Sequence, residues 1–519
     1  MPEFSKSPAA RMNPSVIGML GAFIVLGALL GKYPLASLLS IGAIALFILL
    51  VFLARKLAQI ELWQVLTLGA LTGLVVLNYG FANLALHAGG VPIIIGHSLM
   101  LSALGLAAFR HRRLFVKALR DPAMRCILLL IGMALFRLLF DVPQFGLYAV
   151  RDASMFTEGI FMLLGLVWGM EKRNTSIMLK WLMILFVLNL IYTCMFPLGD
   201  TVRDWSPKSG IFLEVPVLGE FSGNSIYLLA GSLFCILLGR QAVKWPRFVL
   251  LGLALMQLLA LAMLQARADY LALAVCLCVL ALSGQIRKCA ELMAAVSLAL
   301  VALLLLTSVF GLALSGRVGP VNLTFLGEHM SSLLGKRYAP AAGSIDDRLD
   351  WYDEVWGRLR SNPTALVLGE GFGKPLIDVY DAPGVATRQP HNSHLSVLAR
   401  MGALGLVVWA GFHLSLLKRF TRAFYARAYL DDKSFTLVLW LFLLYLILMI
   451  DMSVQPGLEF SFGAIPFYFL MGFALGVISF QLNGIPNATK SRISSNCYSP
   501  RPHARDRTQC TRGGGAGNQ

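Results

Sequence analysis

Apolar residues along this chain come in long blocks, and polar residues gather in the gaps between them. Most blocks run for ~17–25 residues, the length that crosses the hydrocarbon core of a bilayer as α-helix. Fourteen such blocks stand at 14–31, 34–54, 62–80, 91–109, 123–140, 153–170, 176–196, 223–239, 247–265, 268–284, 289–314, 394–416, 435–452 and 462–481. The block at 268–284 is short and the one at 123–140 carries Arg137, so 12 to 14 spans are expected. One gap differs from the rest. Residues 315–393 are polar and aromatic, and they close on Arg388-Gln389-Pro390-His391-Asn392-Ser393-His394 at the mouth of the next block. The pattern predicts an all-α polytopic membrane protein in four parts. A transmembrane bundle of about 11 spans covers 1–314, a large external loop covers 315–393, about three more spans cover 394–482, and a disordered basic cytoplasmic tail covers 483–519. The tail is rich in Ser, Arg, Gly and Pro and lacks apolar residues to bury. The N-terminus has a basic start and an apolar stretch without a small-residue cleavage site, so an uncleaved first span is expected.

Composition agrees with this pattern and charge gives it an orientation. Of 519 residues 57% are hydrophobic, above what a soluble chain of this length usually carries. The net charge of +17 suggests a nucleic-acid partner until its distribution is examined. The basic runs Arg110, Arg112, Arg113, Lys117, Arg120, Arg125 and Lys418, Arg419, Arg422, Arg427 fall in gaps on one side of the alternating spans. Basic gaps are retained in the cytoplasm, which predicts both termini inside and the long loop outside. The basicity is then a topology device, and no nucleic-acid partner is expected. None of the eight cysteines lies in the long loop, so no disulfide staples it. Cys276 and Cys278 are two apart on a helix and do not share a face.

With this orientation, candidate chemistry collects in four outer stretches: 141–157, 197–222, the tight hairpin Gln265-Ala266-Arg267-Ala268-Asp269-Tyr270, and the long loop. Within the loop, residues 348–360 predict an amphipathic helix with Leu349, Tyr352, Trp356 and Leu359 on one face, ended by Asn362-Pro363. Its aromatic rings suit either the headgroup level of a membrane or a lid over the bundle. Gly369-Glu370-Gly371-Phe372-Gly373-Lys374 lacks the Ser or Thr that a phosphate-binding loop needs after its Lys, so the glycines predict a sharp turn. A guanidinium at the depth of Arg267 is costly unless it faces a polar cavity, pairs with Asp269 or snorkels to the headgroups. His391 at a helix start offers an imidazole able to take a proton from a hydroxyl near neutral pH, or to cap that helix. The His391/His394 spacing resembles a metal pair, yet no third ligand of suitable type lies close in sequence, and no metal or other cofactor is expected. Arg348, Arg388 and Arg400 add positive charge near this segment, and Asp451 and Glu459 lie at the last outer turn.

Taken in order along the chain, these motifs resemble the bacterial O-antigen ligase and polymerase superfamily, membrane glycosyltransferases of the GT-C type. The resemblance rests on Gly223-Asn224-Ser225 at a helix start and Ala266-Arg267-Ala268 at an outer helix end. It continues through Arg348-Leu349-Asp350-Trp351, Asn362-Pro363 and Gly369-Glu370-Gly371-Phe372-Gly373, then His391-Asn392-Ser393-His394-Leu395 running into Gly402-Ala403-Leu404-Gly405. It covers about residues 210–480. The resemblance implies transfer of a glycan from an undecaprenyl-pyrophosphate carrier to an acceptor hydroxyl at the bacterial inner (cytoplasmic) membrane, in inverting, metal-independent chemistry. By residue, it implies Arg267 and Arg348 as pyrophosphate ligands and His391 as base; Asn224, Arg388, Asn392, His394, Arg400 and Asp451 are the residues expected to support them. Implied partners are the carrier-linked glycan, its acceptor, membrane lipid and other polysaccharide-assembly proteins. This chain departs from the family pattern where Ala266 replaces Ser, His394 replaces Tyr and Arg400 replaces Glu.

Two acceptors share this chemistry: another carrier-linked repeat for a polymerase, or a lipid A core for a ligase. Fourteen spans rather than about twelve leans towards the polymerase. A flippase is the rival from another class, with Arg137, Glu158 and Arg400 as intramembrane coupling charges. A non-catalytic scaffold is a third. Against transport, no internal repeat joins the two halves, and the candidate residues cluster at the outer face rather than at the midplane.

Overall fold

A computed structural model describes residues 60–88, 91–210, 215–221, 223–305, 316–321, 339–377, 379–382 and 385–483, with the single residues 307, 324 and 327. The spans expected at 14–31 and 34–54, Ser222 of the eighth-span motif and the tail from Gly484 onward lie outside the described residues. The chain divides into two units between Val65 and Leu66, and the described residues of the second carry the site.

The second unit is helical. Its main helices after α1 (Leu62–Val76) are α2 (Ile95–Arg110), α3 (Pro122–Phe145), α4 (Leu147–Thr157), α5 (Met162–Gly169), α6 (Lys172–Thr193), α7 (Asn224–Leu237) and α8 (Arg247–Leu264). They continue with α9 (Arg267–Leu282), α10 (Ile286–Leu304), α11 (Ala339–Ser361), α12 (Pro363–Leu368), α13 (Ser393–Tyr425), α14 (Asp432–Val454) and α15 (Ser461–Asn483). Among the described residues, three two-stranded antiparallel sheets sit in the connections. Among the described residues, six helices are long and apolar enough to cross a membrane: α3, α6, α8, α13, α14 and α15. Helices α1, α2 and α7 are apolar but shorter.

Helix ends follow local chemistry. Asp121 accepts from Ala123 N (3.0 Å) ahead of Pro122, Asn362 caps α12, and Asp431 accepts from Ser434 N (2.9 Å) at the start of α14. The tightest helix pairing joins α5 to α15. A Cβ on Gly165 would overlap the carbonyl of Phe469, and one on Gly472 would overlap that of Met162. Small residues thus let the two backbones touch, the packing that holds helices together where lipid offers no hydrophobic drive.

Two elements differ from the sequence expectation. The span expected at 153–170 is broken into α4, a 3₁₀ turn Glu158–Phe161 and α5. The break falls at Glu158, buried and bonded to His97 (2.8 Å) and Ser461 (2.5 Å), so polar contacts rather than apolar periodicity mark it. The loop helix α11 is longer than 348–360, and its buried face is turned from the expected one. Val355 and Leu359 are fully buried, whereas Leu349 and Trp356 are exposed. The buried side packs with Ala365, Leu376, Ile377 and Ala399, flanked by Trp351, Leu395 and Leu398. Helix α11 therefore lies as a lid on the start of α13.

Candidate active site

Segments far apart in sequence meet in one cavity of about 730 Å³. Its walls come from residues 220–227, the α8–α9 hairpin, the segment at Arg317, the lid helix at Arg348, His391 ahead of α13, and the turn between α14 and α15. Arg267, Arg348, His391 and Asp451, which the sequence singled out from separate segments, all line it.

His391 reaches the cavity by a strained path. Its φ of 51° lies in the left-handed region, uncommon for a residue with a Cβ. Capping falls to its neighbour: the Asn392 side chain accepts from Leu395 N at 3.0 Å and starts α13. The imidazole lies over Trp351 of the lid, ring centroids 5.2 Å apart. A histidine not used as the cap, held in a costly conformation at a cavity wall, suits proton transfer.

The cavity also holds an arginine that sequence reasoning missed. Arg317 is carried by a short turn with no periodicity to mark it. Gln265 fastens that turn, accepting from Val318 N (2.7 Å) and Gly319 N (3.0 Å) and donating to Gly319 O (3.0 Å). Arg317 N also donates to Met263 O (3.2 Å). Gln265 itself ends α8 with φ 52°, directly before Ala266 and Arg267. One hairpin thus places Arg267 and latches Arg317 beside it. The counterion alternative for Arg267 changes accordingly: buried Asp269, bonded to Ser225, faces Arg317 as its opposite charge. Arg317 is exposed by surface area, yet the protein packed around it lowers its pKa, which Asp269 opposes. Burial likewise lowers that of Arg348; Tyr352 and Asp451 act the other way, and Arg317 adds repulsion. Guanidiniums kept this close and partly dehydrated gain most from a divalent anion such as a pyrophosphate.

Other residues expected in support lie elsewhere. Arg400 is buried, pairs with Asp152 (2.8 Å) and donates to the carbonyls of Gly371 (3.0 Å) and Lys374 (2.6 Å). Arg388 donates to Gly373 O (2.6 Å), with its guanidinium 4.6 Å from the Tyr148 ring centre. Phe372 N donates to Asp141 (2.7 Å) and Gly373 N to Asp152 (3.0 Å). The Gly369–Gly373 turn, with φ of 82°, 85° and 93° at its three glycines, is thus riveted to α3 and α4. Arg400 consequently does not present its charge to the cavity. His394 accepts from Trp409 Nε1 (3.1 Å) inside α13. Asn224 lies behind the cavity wall in an asparagine network. Its Nδ2 donates to Asn189 Oδ1 (2.6 Å) and Val76 O (2.9 Å), and its Oδ1 accepts from Asn78 (2.7 Å). The intramembrane charges Arg137, Glu158 and Arg400 are each paired, with Asp141, His97 and Asp152.

The fold is that of an all-α, multi-pass membrane protein, and its site is a cavity that brings together three arginines, the carboxylates of Glu220, Asp269 and Asp451, and a histidine at one end of the bundle. A family model described as O-antigen ligase matches residues 251–410, which supports membership of the O-antigen ligase superfamily. The matched segment contains Arg267, Arg317, Arg348 and His391. The match points to a membrane enzyme of O-antigen or polysaccharide assembly, of the ligase or polymerase type of glycosyltransferase. A search of curated proteins finds no match.

Proposed function

We propose that the protein transfers a glycan from an undecaprenyl-pyrophosphate carrier to a sugar hydroxyl, with the cavity facing the periplasm of the bacterial inner membrane. The observation that carries this reading is the convergence of Arg267, Arg317, Arg348 and His391 on one cavity. The four-part organisation and the N-in, C-in topology expected from sequence put that cavity at the outer headgroup level, where a polyprenyl tail can stay in lipid while its pyrophosphate enters.

In this reaction the bond between the anomeric carbon and the pyrophosphate oxygen breaks, and the acceptor oxygen bonds to that carbon from the opposite face. His391 takes the acceptor's proton. The pyrophosphate, still attached to its lipid, leaves with the electron pair. The negative charge growing on the leaving oxygen is met by three fixed guanidiniums, which need no reorganisation at the moment of reaction. Arginine provides the charge that a metal ion supplies in other phosphate chemistry, so the transfer is inverting and metal-independent. The acceptor hydroxyl belongs to a second carrier-linked repeat in a polymerase or to a lipid A core in a ligase, and the same base serves both.

Arginine substitution tests the leaving-group role. With carrier-linked glycan as donor, Arg348→Ala and Arg317→Ala are each expected to lower kcat about 10²–10³-fold, as loss of one charge-stabilising donor does elsewhere. The rate should be indifferent to EDTA. Variants that turn over like wild type, or activity abolished by EDTA and restored by a divalent ion, would contradict the reading. Offering carrier-linked repeats and lipid A core in separate reactions distinguishes polymerase from ligase.

A further inference from the structure

The cavity has a second wall whose chemistry differs from that of the arginines. Tyr79, Phe460 and Phe462 line it, all half-buried, with Glu220 beside them. The two phenylalanine rings lie nearly parallel, 13° between planes and 5.5 Å between centroids. Tyr79 stands edge-on to both, at 87° and 90°. Aromatic faces carry partial negative charge and accept the polarised C–H face of a sugar ring, while a neighbouring carboxylate can take its hydroxyls.

The wall is built rather than incidental. Asn78, buried at φ 34°, donates from Nδ2 to Asn224 Oδ1 (2.7 Å) and Glu220 O (3.1 Å), so the asparagine network behind the wall fixes Tyr79 and Glu220 together. Tyr192 OH adds a bond to Glu220 O (3.2 Å). On the other side, Ser461, between the two phenylalanines, donates to Glu158 (2.5 Å). Glu459 accepts from Ser393 Oγ (2.6 Å), and that same oxygen accepts from Leu458 N (3.2 Å). Ser393 is two residues from His391. The turn bearing the aromatic rings is therefore bonded directly to the helix start that presents the histidine, which puts the wall on the acceptor's side of the reaction.

We propose that Tyr79, Phe460 and Phe462, with Glu220, form a sugar-binding subsite that receives the acceptor glycan by stacking against its ring. The assignment rests on the transfer reading above and adds the subsite that selects the acceptor.

The test is equilibrium binding, without turnover, on the full-length protein in detergent. The probe is the oligosaccharide released by mild acid from the surface polysaccharide of the cells that make this protein, titrated by saturation-transfer NMR. Phe460→Leu and Phe462→Leu should each weaken binding about five- to tenfold, the scale of one lost aromatic contact. Phe460→Trp should hold affinity near wild type, because the wall needs a ring face and not merely an apolar side chain. Tyr79→Leu, on a different segment, repeats the loss independently of the 458–462 turn. Farnesyl pyrophosphate, titrated in parallel, should bind the leucine variants like wild type. No binding of the oligosaccharide by wild type, equal binding by the leucine variants, or equal loss in the Leu and Trp variants would overturn the subsite. Weakening of farnesyl pyrophosphate instead would give the wall to the carrier's chain and also overturn it. Sugar binding without any transfer from carrier-linked glycan would sink the transfer reading and leave the subsite standing. Transfer with unchanged binding in the leucine variants would do the reverse.

Discussion

Arg348 and Arg400 are both partly or fully withdrawn from water, but their surroundings give them opposite tasks. Arg400 is paired with Asp152 and two loop carbonyls, and nothing of its charge is left for a substrate. Arg348 shares a cavity with two other arginines and Asp451. Truncation should separate the two. Arg400→Ala leaves Asp152 with Arg151 (3.2 Å) and Gly373 N (3.0 Å) but removes its buried partner and the ties to two loop carbonyls, and is expected to cost about 1–3 kcal/mol of stability, read as a lowered thermal unfolding midpoint in detergent. Arg348→Ala should leave the midpoint near wild type while turnover falls. A wild-type midpoint for Arg400→Ala would show that the loop rivet is dispensable. At this scale the sequence disclosed Arg267 and His391, because each sits where an apolar block meets a polar gap, and Arg348 through the motif Arg348-Leu349-Asp350-Trp351 in the long loop. Arg317 stayed hidden. It lies in a short turn whose position depends on Gln265, 52 residues earlier by number, and no local pattern records that bond.

The loop helix α11 shows what periodicity can and cannot say about an element. Apolar spacing correctly indicated a helix ended at Asn362, but pointed to a face containing Leu349 and Trp356, which the structure leaves exposed. Of that face Leu359 is packed as expected, but it is joined by Trp351 and Val355, selected by what α12 and the start of α13 offer them. Arg358 reinforces the docking, bonded to Glu370 (3.2 Å) and Leu376 O (2.5 Å). The two faces make different demands on substitution. Val355→Ala, on the packed face but not on the expected one, should lower stability by about 1–3 kcal/mol through lost burial. Leu349→Ala should stay within about 0.5 kcal/mol, as surface changes usually do. Thermal unfolding of the two variants side by side checks the orientation, and the opposite ranking would restore the face expected from sequence. The broken span at Glu158 has a similar origin. An apolar block cannot reveal that His97 and Ser461 will claim a carboxylate in its midst.

Across the whole molecule, the long apolar blocks made an all-α membrane protein legible, since few other structures tolerate so much continuous hydrophobicity. The cavity was legible only in part. The outer stretches were identified one by one, while their convergence depends on tertiary packing, and so does the aromatic wall. Phe460, Phe462 and Tyr79 looked like ordinary residues at span ends until they met across a shared space. Convergence also weakens the transport alternative. The intramembrane charges that would couple it are paired with buried or half-buried partners, and the unusual groups gather at one end of the bundle.

The most direct test is transfer itself. Purified wild type and His391→Ala, both shown to be folded and to bind carrier-linked glycan, would be incubated with that donor and with carrier-linked repeats or lipid A core as acceptors. The expected result is product from wild type with one acceptor class and a loss of about 10²–10⁴-fold in the variant, the contribution of a positioned general base. Equal turnover by the two proteins would remove His391 from the chemistry. No product from wild type, with donor bound and both acceptors present, would contradict the account of the cavity as a glycosyl-transfer site.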